Sequence, residues 1–404
     1  MSGARRVVVT GAGPVTCIGV GRADFARNVL AGTSGQRPVT SFDTTGFAHA
    51  DACELSGFDP AAWCGGETPG RAAAFAVAAA RLALADARLD PAALARAHVP
   101  VVVGTCDGEA AELDALAAAS AAGEAVGTAA ARRYAPIRLP LTVAAALGLR
   151  EAEPVTIGTA CAAGNYAIGY AFDAVRAGDA EVALCGGAEA VSRRMFSGFY
   201  RVGTIASDAC RPFDAGRSGI LTGEGAGMLV LESLGHALAR GAPIHAEVIG
   251  FGANCDARHP VAPDSDGLAA CIRLAHADAG IGPGQVDLIS AHGTGTPVND
   301  VTEVAAIRRV FGASPPPVIS IKSMIGHAMG AASAIAAIAA VDSIGAQFIP
   351  PTINHIATDP ACAIDCVPNT GRPARIGVVQ NNGLAFGGNN AVLLLRRPEE
   401  ASWN

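Results

Sequence analysis

The segment Thr159-Ala160-Cys161-Ala162-Ala163-Gly164 joins two predicted elements of different type. Apolar residues at 154–157 predict a strand before it, and the small and apolar residues at 162–180 predict a long helix after it. A cysteine at such a corner has its sulfur at a helix N-terminus, where the helix dipole and unpaired amides favour the thiolate. Free cysteines are often simply buried, so this segment alone leaves a nucleophile and a structural thiol equally open.

The composition indicates a compact enzyme-like protein. Half of the 404 residues are hydrophobic and only 16% are charged, which predicts a large core and some surface buried against another subunit. The net charge of −7, without a lysine or arginine run, argues against nucleic-acid binding. The eleven cysteines include no CxxC pair, so neither a metal site nor a disulfide framework is predicted.

Nothing in the sequence predicts a membrane span or a secretory signal. The N-terminal residues run straight into a predicted strand, without the apolar region of a signal peptide. The most apolar stretch, 324–341, is mostly alanine and is interrupted by His327 and Ser333, so we interpret it as a buried helix. We therefore expect a cytoplasmic protein.

The chain reads as two similar halves, predicted as domains 1–238 and 239–404. Each half has a glycine-containing strand, a second apolar strand, a strand-corner-helix unit, and a glycine-rich turn that leads into a last strand. These lie at 7–13, 99–103, 155–180 and 223–231 in the first half, and at 245–252, 286–290, 318–340 and 386–394 in the second. Alternating strands and helices predict βαβ units and largely parallel sheets. We expect an internal duplication in which Cys161 and His327 face each other across the middle.

Two histidines and a lysine accompany the cysteine. His292 opens the loop His292-Gly293-Thr294-Gly295-Thr296-Pro297 directly after a predicted strand, and Lys322 and His327 bracket another tight turn. A buried lysine needs a partner, and Glu303 in the predicted helix 301–310 is a candidate. A nucleophilic cysteine, two imidazoles and a Lys/Glu pair are the parts of carbon–carbon bond chemistry on thioesters.

Two other interpretations explain less of the pattern. A Cys-His-Asn protease would need one histidine only and would leave Lys322 unexplained. A dinucleotide site is suggested by Gly11-Ala12-Gly13, but the third position of the fingerprint, residue 16, is threonine. A GxG pair without the third glycine is weak evidence.

Taken together, the motifs resemble the β-ketoacyl-acyl carrier protein synthases, the ketosynthases of the thiolase superfamily, over essentially the whole chain. The similarity is greatest to the elongating branch of type II fatty-acid and polyketide systems. Five separated motifs occur in the family's order: TACAAG at Thr159, the PFDxxRxGxxxGEGAGxLVLE-like stretch at 212–232, HGTGTP at His292, KSMIGH at Lys322 and FGG at Phe386. The resemblance implies an α/β thiolase-like fold, with two pseudo-symmetric βαβ-rich halves forming a five-layered αβαβα core.

The resemblance also implies the catalytic roles. Cys161 would be the nucleophile that takes the acyl chain, and His292 and His327 would hold the malonyl thioester and stabilise the enolate released by decarboxylation. Lys322, ion-paired with Glu303, would keep His327 oriented. This Cys-His-His set differs from that of chain-length-factor partners, which lack the cysteine, and from the Cys-His-Asn set of initiating synthases.

Further positions resemble binding elements of the family. Thr294 and Thr296 match the pair that hydrogen-bonds the phosphopantetheine arm. The amides of Cys161 and Phe386 would form the oxyanion hole, and Phe386 would also be the gating aromatic. Arg132 and Arg133 fall where the family often carries basic residues for carrier-protein docking, although most such pairs are only solvated surface charges.

Some positions depart from the family pattern. The acyl-pocket segment reads Gly104-Thr105-Cys106-Asp107-Gly108-Glu109, the loop before Phe386 contains Leu384, and Asn299 replaces a common glycine. If Asp107 points into the acyl pocket, an unpaired carboxylate there would penalise a long saturated chain and favour a specialised polyketide or polyene pathway. Whether Asp107 instead faces solvent or a subunit boundary stays open.

The implied activity is a decarboxylative Claisen condensation of malonyl-acyl carrier protein with the acyl chain on Cys161. The enzyme would bind no cofactor itself, and its substrates would be carried on the phosphopantetheine of an acyl carrier protein. It would act as a homodimer, or as a heterodimer with a chain-length-factor homologue. The alternatives are a housekeeping fatty-acid elongation synthase, a catalytically silent partner, and a homologue that transfers or hydrolyses acyl groups without elongation.

Overall fold

A computed structural model describes residues 5–65, 69–125 and 127–399 of the chain. Ten strands and the short strand Gly19–Val20 form one large sheet. In chain order the ten are β1 (Val7–Thr16), β2 (Val99–Gly104), β3 (Ala152–Ile157), β4 (Val182–Glu189), β5 (Gly225–Ser233), β6 (Ala246–Cys255), β7 (Leu288–Ser290), β8 (Val318–Ile319), β9 (Val378–Leu384) and β10 (Asn389–Arg396).

The two halves of the sheet have the same topology. The strands run in the order β3-β2-β4-β5-β1 in the first half and β8-β7-β9-β10-β6 in the second. β5 and β10 are antiparallel to both of their neighbours, and the other pairings within each half are parallel. The shared order agrees with an internal duplication. The prediction of largely parallel sheets is only half right, because one reversed strand in each half makes two of its four pairings antiparallel.

Helices complete a five-layered arrangement. The five large helices are α1 (Arg71–Asp86), α2 (Ala163–Ala177), α3 (Ser265–Ala279), α4 (Pro297–Phe311) and α5 (Ala332–Ala346). α1 packs on the outside of the first half-sheet, α3 packs on the second, and α4 packs against α3. The central pair, α2 and α5, contacts both half-sheets and each other. The layers therefore follow the αβαβα order of the thiolase-like fold.

Shorter elements connect these layers. The remaining helices described are Arg22–Ala31, Ala61–Cys64, Pro91–Leu94, Ala110–Ala121, Thr128–Arg133, Arg138–Ala146, Arg193–Arg201, Leu234–Ala239 and Lys322–Ile325. The remaining short strands are Arg37–Pro38, Asp51–Cys53, Thr222–Gly223, Phe348–Ile349 and Arg372–Pro373. One of them, Thr222–Gly223, lies beside the candidate site described below.

The glycines near the N-terminus lie inside a strand and do not end it. β1 continues through Gly11 and Gly13 to Thr16. A Cβ atom on Gly11 would lie 2.1 Å from the carbonyl oxygen of Ala83, and one on Gly13 would lie 1.9 Å from that of Ala79. Helix α1 therefore packs against the backbone of β1 at a distance that only glycine permits. This close packing accounts for both glycines without a dinucleotide.

The predicted buried helix is present at the centre of the fold. The stretch Met329–Ala346 is long and apolar enough to cross a membrane by length and composition, and 89% of it is buried inside the protein. It consists of a 3-10 turn, Met329–Ala331, followed by α5. Its side chains fill the space between the half-sheets, so its apolar character is that of a core helix.

The two halves are joined through their first strands. β1 and β6 pair antiparallel, with Val7 opposite Val248 and Val9 opposite Ala246. The first half-sheet ends in sequence at Ser233 and the second begins at Ala246. The domain boundary predicted at 238/239 falls in this connection, and its exact position stays a prediction.

Candidate active site

Cys161 lies at a sharp corner between β3 and α2. It occupies a single 3-10 turn, Ala160–Ala162, and α2 begins two residues later at Ala163. Ala160 has a φ angle of 48°, a left-handed conformation that is uncommon for a residue with a side chain. The corner therefore places Cys161 at the N-terminal end of α2, as the sequence predicted, and its side chain is buried.

The expected effect of this corner on the thiol is wrong in sign. Burial raises the pKa of the Cys161 thiol to about 12, because desolvation penalises the thiolate more than its neighbours stabilise it. The charge of Lys322 and hydrogen bonds from the amides of Cys161 and Phe386 act in the opposite direction. The two amides expected to form an oxyanion hole thus converge on the sulfur.

His327 belongs to the second half but is held by the first. Its backbone N–H donates to the carbonyl oxygen of Leu221 at 2.7 Å, and its own carbonyl accepts from the N–H of Gly223 at 2.9 Å. The preceding residue, Gly326, has a φ angle of 65°, and a Cβ there would lie 2.9 Å from the oxygen of Leu221. The glycine therefore permits the close approach that brings His327 towards Cys161.

His292 follows β7 and is fixed through its backbone. The N–H groups of His292 and Gly293 each donate to the carboxylate of Glu303 at 2.8 Å. Glu303 lies on α4 and is fully buried. The rings of His292 and His327 are 5.4 Å apart between centroids and nearly perpendicular. The structure thus brings the two histidines together from separate turns.

Lys322 contacts His292 and does not form the expected direct ion pair with Glu303. Its Nζ donates to the carbonyl oxygen of His292 at 2.6 Å and lies 3.4 Å from Nδ1 of the same residue. Burial lowers the pKa of Lys322, and the charge of Glu303 opposes that shift. Glu303 instead uses its oxygens to bind backbone amides, so it acts on Lys322 only through its field.

Both histidines are held neutral. Burial, and then the charge of Lys322, lower the pKa of His292 and of His327 well below the usual value. The Nδ1 atom of His327 accepts from the N–H of Met329 at 3.1 Å. A neutral imidazole that accepts at Nδ1 carries its proton on Nε2. His327 can therefore donate a hydrogen bond to a substrate oxygen from Nε2.

A cavity of about 350 Å³ unites most of the predicted residues. It is lined by Cys161, Phe199, Gly203, Thr204, Ile220, His259, Val261, Ala262, Pro263, His292, Thr294, Thr296, Pro297, Val298, Asn299, His327, Leu384, Ala385 and Phe386. The hydroxyls of Thr294 and Thr296 are 2.9 Å apart on its wall. A buried thiol, two neutral imidazoles and a polar loop thus share one mostly apolar pocket.

Besides Lys322 and Glu303, three predicted residues are not among the described residues that line this cavity. Asp107 is not among the described residues that line it, and its carboxylate lies 3.5 Å from the guanidinium of Arg194. The carboxylate of Asp107 is therefore not unpaired, and its place in the acyl pocket stays a prediction. Arg133 pairs with Glu112 at 2.9 Å, and Arg132 is exposed on the same helix. Their role in docking stays a prediction.

Two residues near the site were not predicted. The ring of Phe199 lies 5.8 Å from that of Phe386 and lines the cavity. Glu189 is buried at the end of β4 and accepts from the amides of Cys106 and Gly330. An acidic residue ending the apolar run of β4 was a visible signal for Glu189, because a buried carboxylate needs donors. Phe199 had no comparable signal.

Comparison with known proteins identifies the family. Residues 4–237 match the model of the β-ketoacyl synthase N-terminal domain, and residues 245–355 match that of the C-terminal domain. The 3-oxoacyl-acyl-carrier-protein synthase 2 of Synechocystis sp. is 37% identical, covering 97% of this chain and 98% of the relative. That of Staphylococcus aureus is 37% identical, covering 99% of this chain and all of the relative.

Solved structures agree with this assignment. The ishigamide ketosynthase/chain length factor has a TM-score of 0.96 and 51% identity, covering 98% of this chain and all of that one. The type II PKS acyl-carrier protein in complex with its ketosynthase, AntDE:AntF, has a TM-score of 0.88 and 32% identity, covering 98% of this chain and all of that one. A β-ketoacyl synthase from Burkholderia phymatum has a TM-score of 0.92 and 33% identity, with the same coverage of both chains. The chain belongs to the β-ketoacyl synthase family and is an acyltransferase-class enzyme.

Proposed function

We propose that this β-ketoacyl synthase catalyses decarboxylative condensation of malonyl-acyl carrier protein with an acyl chain held on Cys161. The observation that carries the proposal is the meeting of the buried side chains of Cys161, His292 and His327 in one cavity. A thiol alone would support acyl transfer. Two neutral imidazoles beside it supply what a decarboxylation needs, because their N–H groups can stabilise an enolate oxygen.

The first step is acyl transfer. The sulfur of Cys161 attacks the carbonyl of an acyl thioester, the bond to the carrier sulfur breaks, and the proton lost by Cys161 ends on the released carrier thiol. The amides of Cys161 and Phe386 stabilise the negative oxygen that forms during the attack. Because the pKa of Cys161 is raised to about 12, proton loss is coupled to this attack and does not precede it.

The second step forms the carbon–carbon bond. Malonyl thioester loses its carboxylate as carbon dioxide, and the electron pair of the broken bond becomes an enolate. His292 and His327 donate to the thioester oxygen while this charge develops. The enolate carbon then attacks the acyl carbonyl on Cys161, and the cysteine sulfur leaves. Thr294 and Thr296, at the cavity wall, would hold the phosphopantetheine arm of the carrier.

We further propose a type II polyketide or polyene pathway for this chain. Support comes from the greater identity to the ishigamide ketosynthase/chain length factor, 51%, than to the 3-oxoacyl-acyl-carrier-protein synthase 2 of Synechocystis sp., 37%. Asp107 contributes no argument, because its carboxylate is paired with Arg194. Housekeeping fatty-acid elongation remains the alternative, and we expect a cytoplasmic location in either pathway.

The pathway is tested by the products formed. Purified enzyme would be supplied with malonyl-carrier protein and a panel of saturated and unsaturated acyl primers, and the products analysed by mass spectrometry. Preference for unsaturated or oxygenated primers supports the specialised pathway. Preference for long saturated primers identifies fatty-acid elongation. Release of free acid without carbon dioxide identifies a hydrolase and contradicts the condensing activity.

The partners proposed are an acyl carrier protein and a second synthase-like subunit. β3 is an edge strand that pairs only with β2 in the described chain, and exposed apolar side chains lie beside it on α2, on the helix Arg138–Ala146 and on the turn before that helix. These are Tyr134, Ile137, Leu141 and Tyr170. An unpaired edge next to apolar side chains is suited to another chain. Sedimentation of the purified protein alone measures its oligomeric state. A homodimer would identify a second copy of this chain as the partner, and a monomer that dimerises only when a chain-length-factor homologue is added would identify the heterodimer.

A further inference from the structure

Four buried polar side chains connect the outer helix layer to the site. Nε2 of His276, on α3, lies 2.8 Å from Oε1 of Gln380. Nε2 of Gln380 donates to Oδ1 of Asn382 at 2.8 Å, and Nδ2 of Asn382 donates to Oε1 of Glu303 at 3.0 Å. Glu303 then accepts from the backbone amides of His292 and Gly293. Each of these four residues is at most 4% exposed.

The direction of every hydrogen bond in the chain follows from the carboxylate. An ionised Glu303 only accepts, so Asn382 must turn its Nδ2 towards it. The Oδ1 of Asn382 then accepts from Gln380, and the Oε1 of Gln380 accepts from His276. His276 must therefore carry its proton on Nε2. Burial lowers its pKa, which keeps the ring in this neutral form.

The sequence pattern of β9 supports a specific role for the two amides. Successive residues of a strand face opposite sides, so Gln380 and Asn382 point to the outer helices and Asn381 points inward. The Nδ2 of Asn381 donates to Oδ1 of Asn165 and to the carbonyl of Ser333, between the central helices. Apolar side chains would fill the outer positions without needing partners. The amides are required there if Glu303 must be held in one orientation.

We propose that His276, Gln380 and Asn382 are positioning residues for the decarboxylation step, acting through Glu303 on His292. None of the three is among the described residues lining the cavity, so none contacts substrate there. The inference rests on the proposed function. It adds that a series of hydrogen bonds, all donated towards Glu303, holds the orientation of Glu303 and with it the backbone of His292. The series starts at His276, 27 residues before Glu303 in sequence.

Few charged groups lie near Glu303 in the described part of the chain. Burial lowers the pKa of Lys322 and the charge of Glu303 opposes that shift, whereas burial raises the pKa of Asp300, on the same helix as Glu303, and the charge of Glu303 adds to that rise. His292 contacts it through its backbone, and the ring of His276 faces Phe311 at 5.6 Å. A second carboxylate placed at Asn382 would therefore interact above all with Glu303 itself.

The decisive variant is Asn382→Asp. Two carboxyl groups 3.0 Å apart in a buried site repel each other when both are ionised, so one of their pKa values rises and the pair shares one proton at lower pH. At pH 8 we expect this proton to be lost, which breaks the hydrogen bond to Glu303, so carbon dioxide release should fall about 10-fold or more, the scale of losing a positioned donor. At pH 6 the introduced carboxyl group is protonated and again donates to Glu303, so the rate relative to the parent should recover within about 3-fold. Acylation of Cys161 should stay unchanged at both pH values.

Asn382→Leu is the matched control, because it removes the donor without adding a titratable group. Its loss should be the same at pH 6 and pH 8. A pH-independent loss in Asn382→Asp equal to that of Asn382→Leu would overturn the proposal, as would a parent-like rate in Asn382→Leu. A parent enzyme that releases no carbon dioxide would instead contradict the proposed function.

Gln380→Glu repeats the test one hydrogen bond further from Glu303 and serves if Asn382→Asp does not fold. An ionised glutamate cannot donate to Oδ1 of Asn382, whereas a protonated one can. The same recovery at pH 6 is expected, with Gln380→Leu as its pH-independent control. Thermal unfolding of all four variants at both pH values separates a loss of positioning from a loss of fold.

Discussion

The ammonium of Lys322 lies 2.6 Å from the carbonyl oxygen of His292 and 3.4 Å from Nδ1 of its ring. One side chain thus binds the backbone of His292 and places a positive charge beside both imidazoles. Burial, and then this charge, lower the pKa of His292 and of His327, and the charge opposes the rise that burial causes in the pKa of Cys161. Lys322 therefore acts on the protonation of all three groups that the proposed reaction uses.

Removing the charge of Lys322 should shift the acid limb of the pH–rate profile for carbon dioxide release. In Lys322→Met the pKa values of His292 and His327 should rise towards the usual 6.5, because burial remains but the repulsion is gone. As the pH falls, carbon dioxide release should then begin to decline at a higher pH in Lys322→Met than in the parent. The measurement is the rate of release between pH 5 and 8, with Lys322→Arg as the charge-retaining control. Coincident acid limbs in the parent and Lys322→Met would contradict this prediction.

The two histidines should matter for decarboxylation more than for acylation. His292→Ala and His327→Ala each remove one donor to the enolate oxygen, which should reduce carbon dioxide release by about 10²-fold or more. Acyl transfer to Cys161 uses the amides of Cys161 and Phe386 and should persist. Intact-mass analysis measures the adduct and serves as the control in each variant. Unchanged carbon dioxide release in both would exclude the role.

Cys161 should be the only site that carries the acyl chain. Intact mass after incubation with an acyl-carrier protein should show one covalent adduct, which is lost in Cys161→Ala. An adduct that survives that substitution would remove Cys161 as the nucleophile.

The reactivity of Cys161 towards iodoacetamide should rise steeply with pH. With a pKa raised to about 12, the thiol is neutral at pH 8, and its alkylation rate should increase about tenfold per pH unit up to pH 10. Peptide mapping resolves it from the exposed Cys255, which is the reference. A rate for Cys161 that levels off below pH 9 would show that the site stabilises the thiolate more than burial penalises it.

Arg132 and Arg133 are predicted to assist carrier-protein docking. Charge reversal at both should raise the KM for carrier-bound malonyl, and the effect should shrink with added salt as the Debye length falls. Because Arg133 is already paired with Glu112, we expect only a small rise in KM, about threefold, which is typical of exposed charges. Charge reversal at Arg88 and Arg96, both exposed and not among the lining residues, controls for the change in net charge. Equal KM values for the two double variants at low salt would remove the docking role.

The order of elements and the corners that carry Cys161, His292 and His327 were predictable because they depend on local patterns. Strand, corner and helix follow from the periodicity around Cys161, and the turn residues around His292 and His327 mark loops at strand ends. The two glycines of β1 misled the strand boundary. Their requirement comes from α1, about 70 residues away, whose backbone leaves no room for a Cβ.

Sequence by itself selected the candidate catalytic residues and indicated that the elements carrying them recur in two matched halves, since both depend on residue type and spacing along the chain. Only the tertiary structure decided how those residues behave. The raised pKa of Cys161 results from burial by layers distant in sequence, and the contact of Lys322 with His292 spans 30 residues. The bond from Asn382 to Glu303 spans 79. Desolvation and hydrogen-bond direction depend on what surrounds a group in space, which spacing along a chain does not reveal.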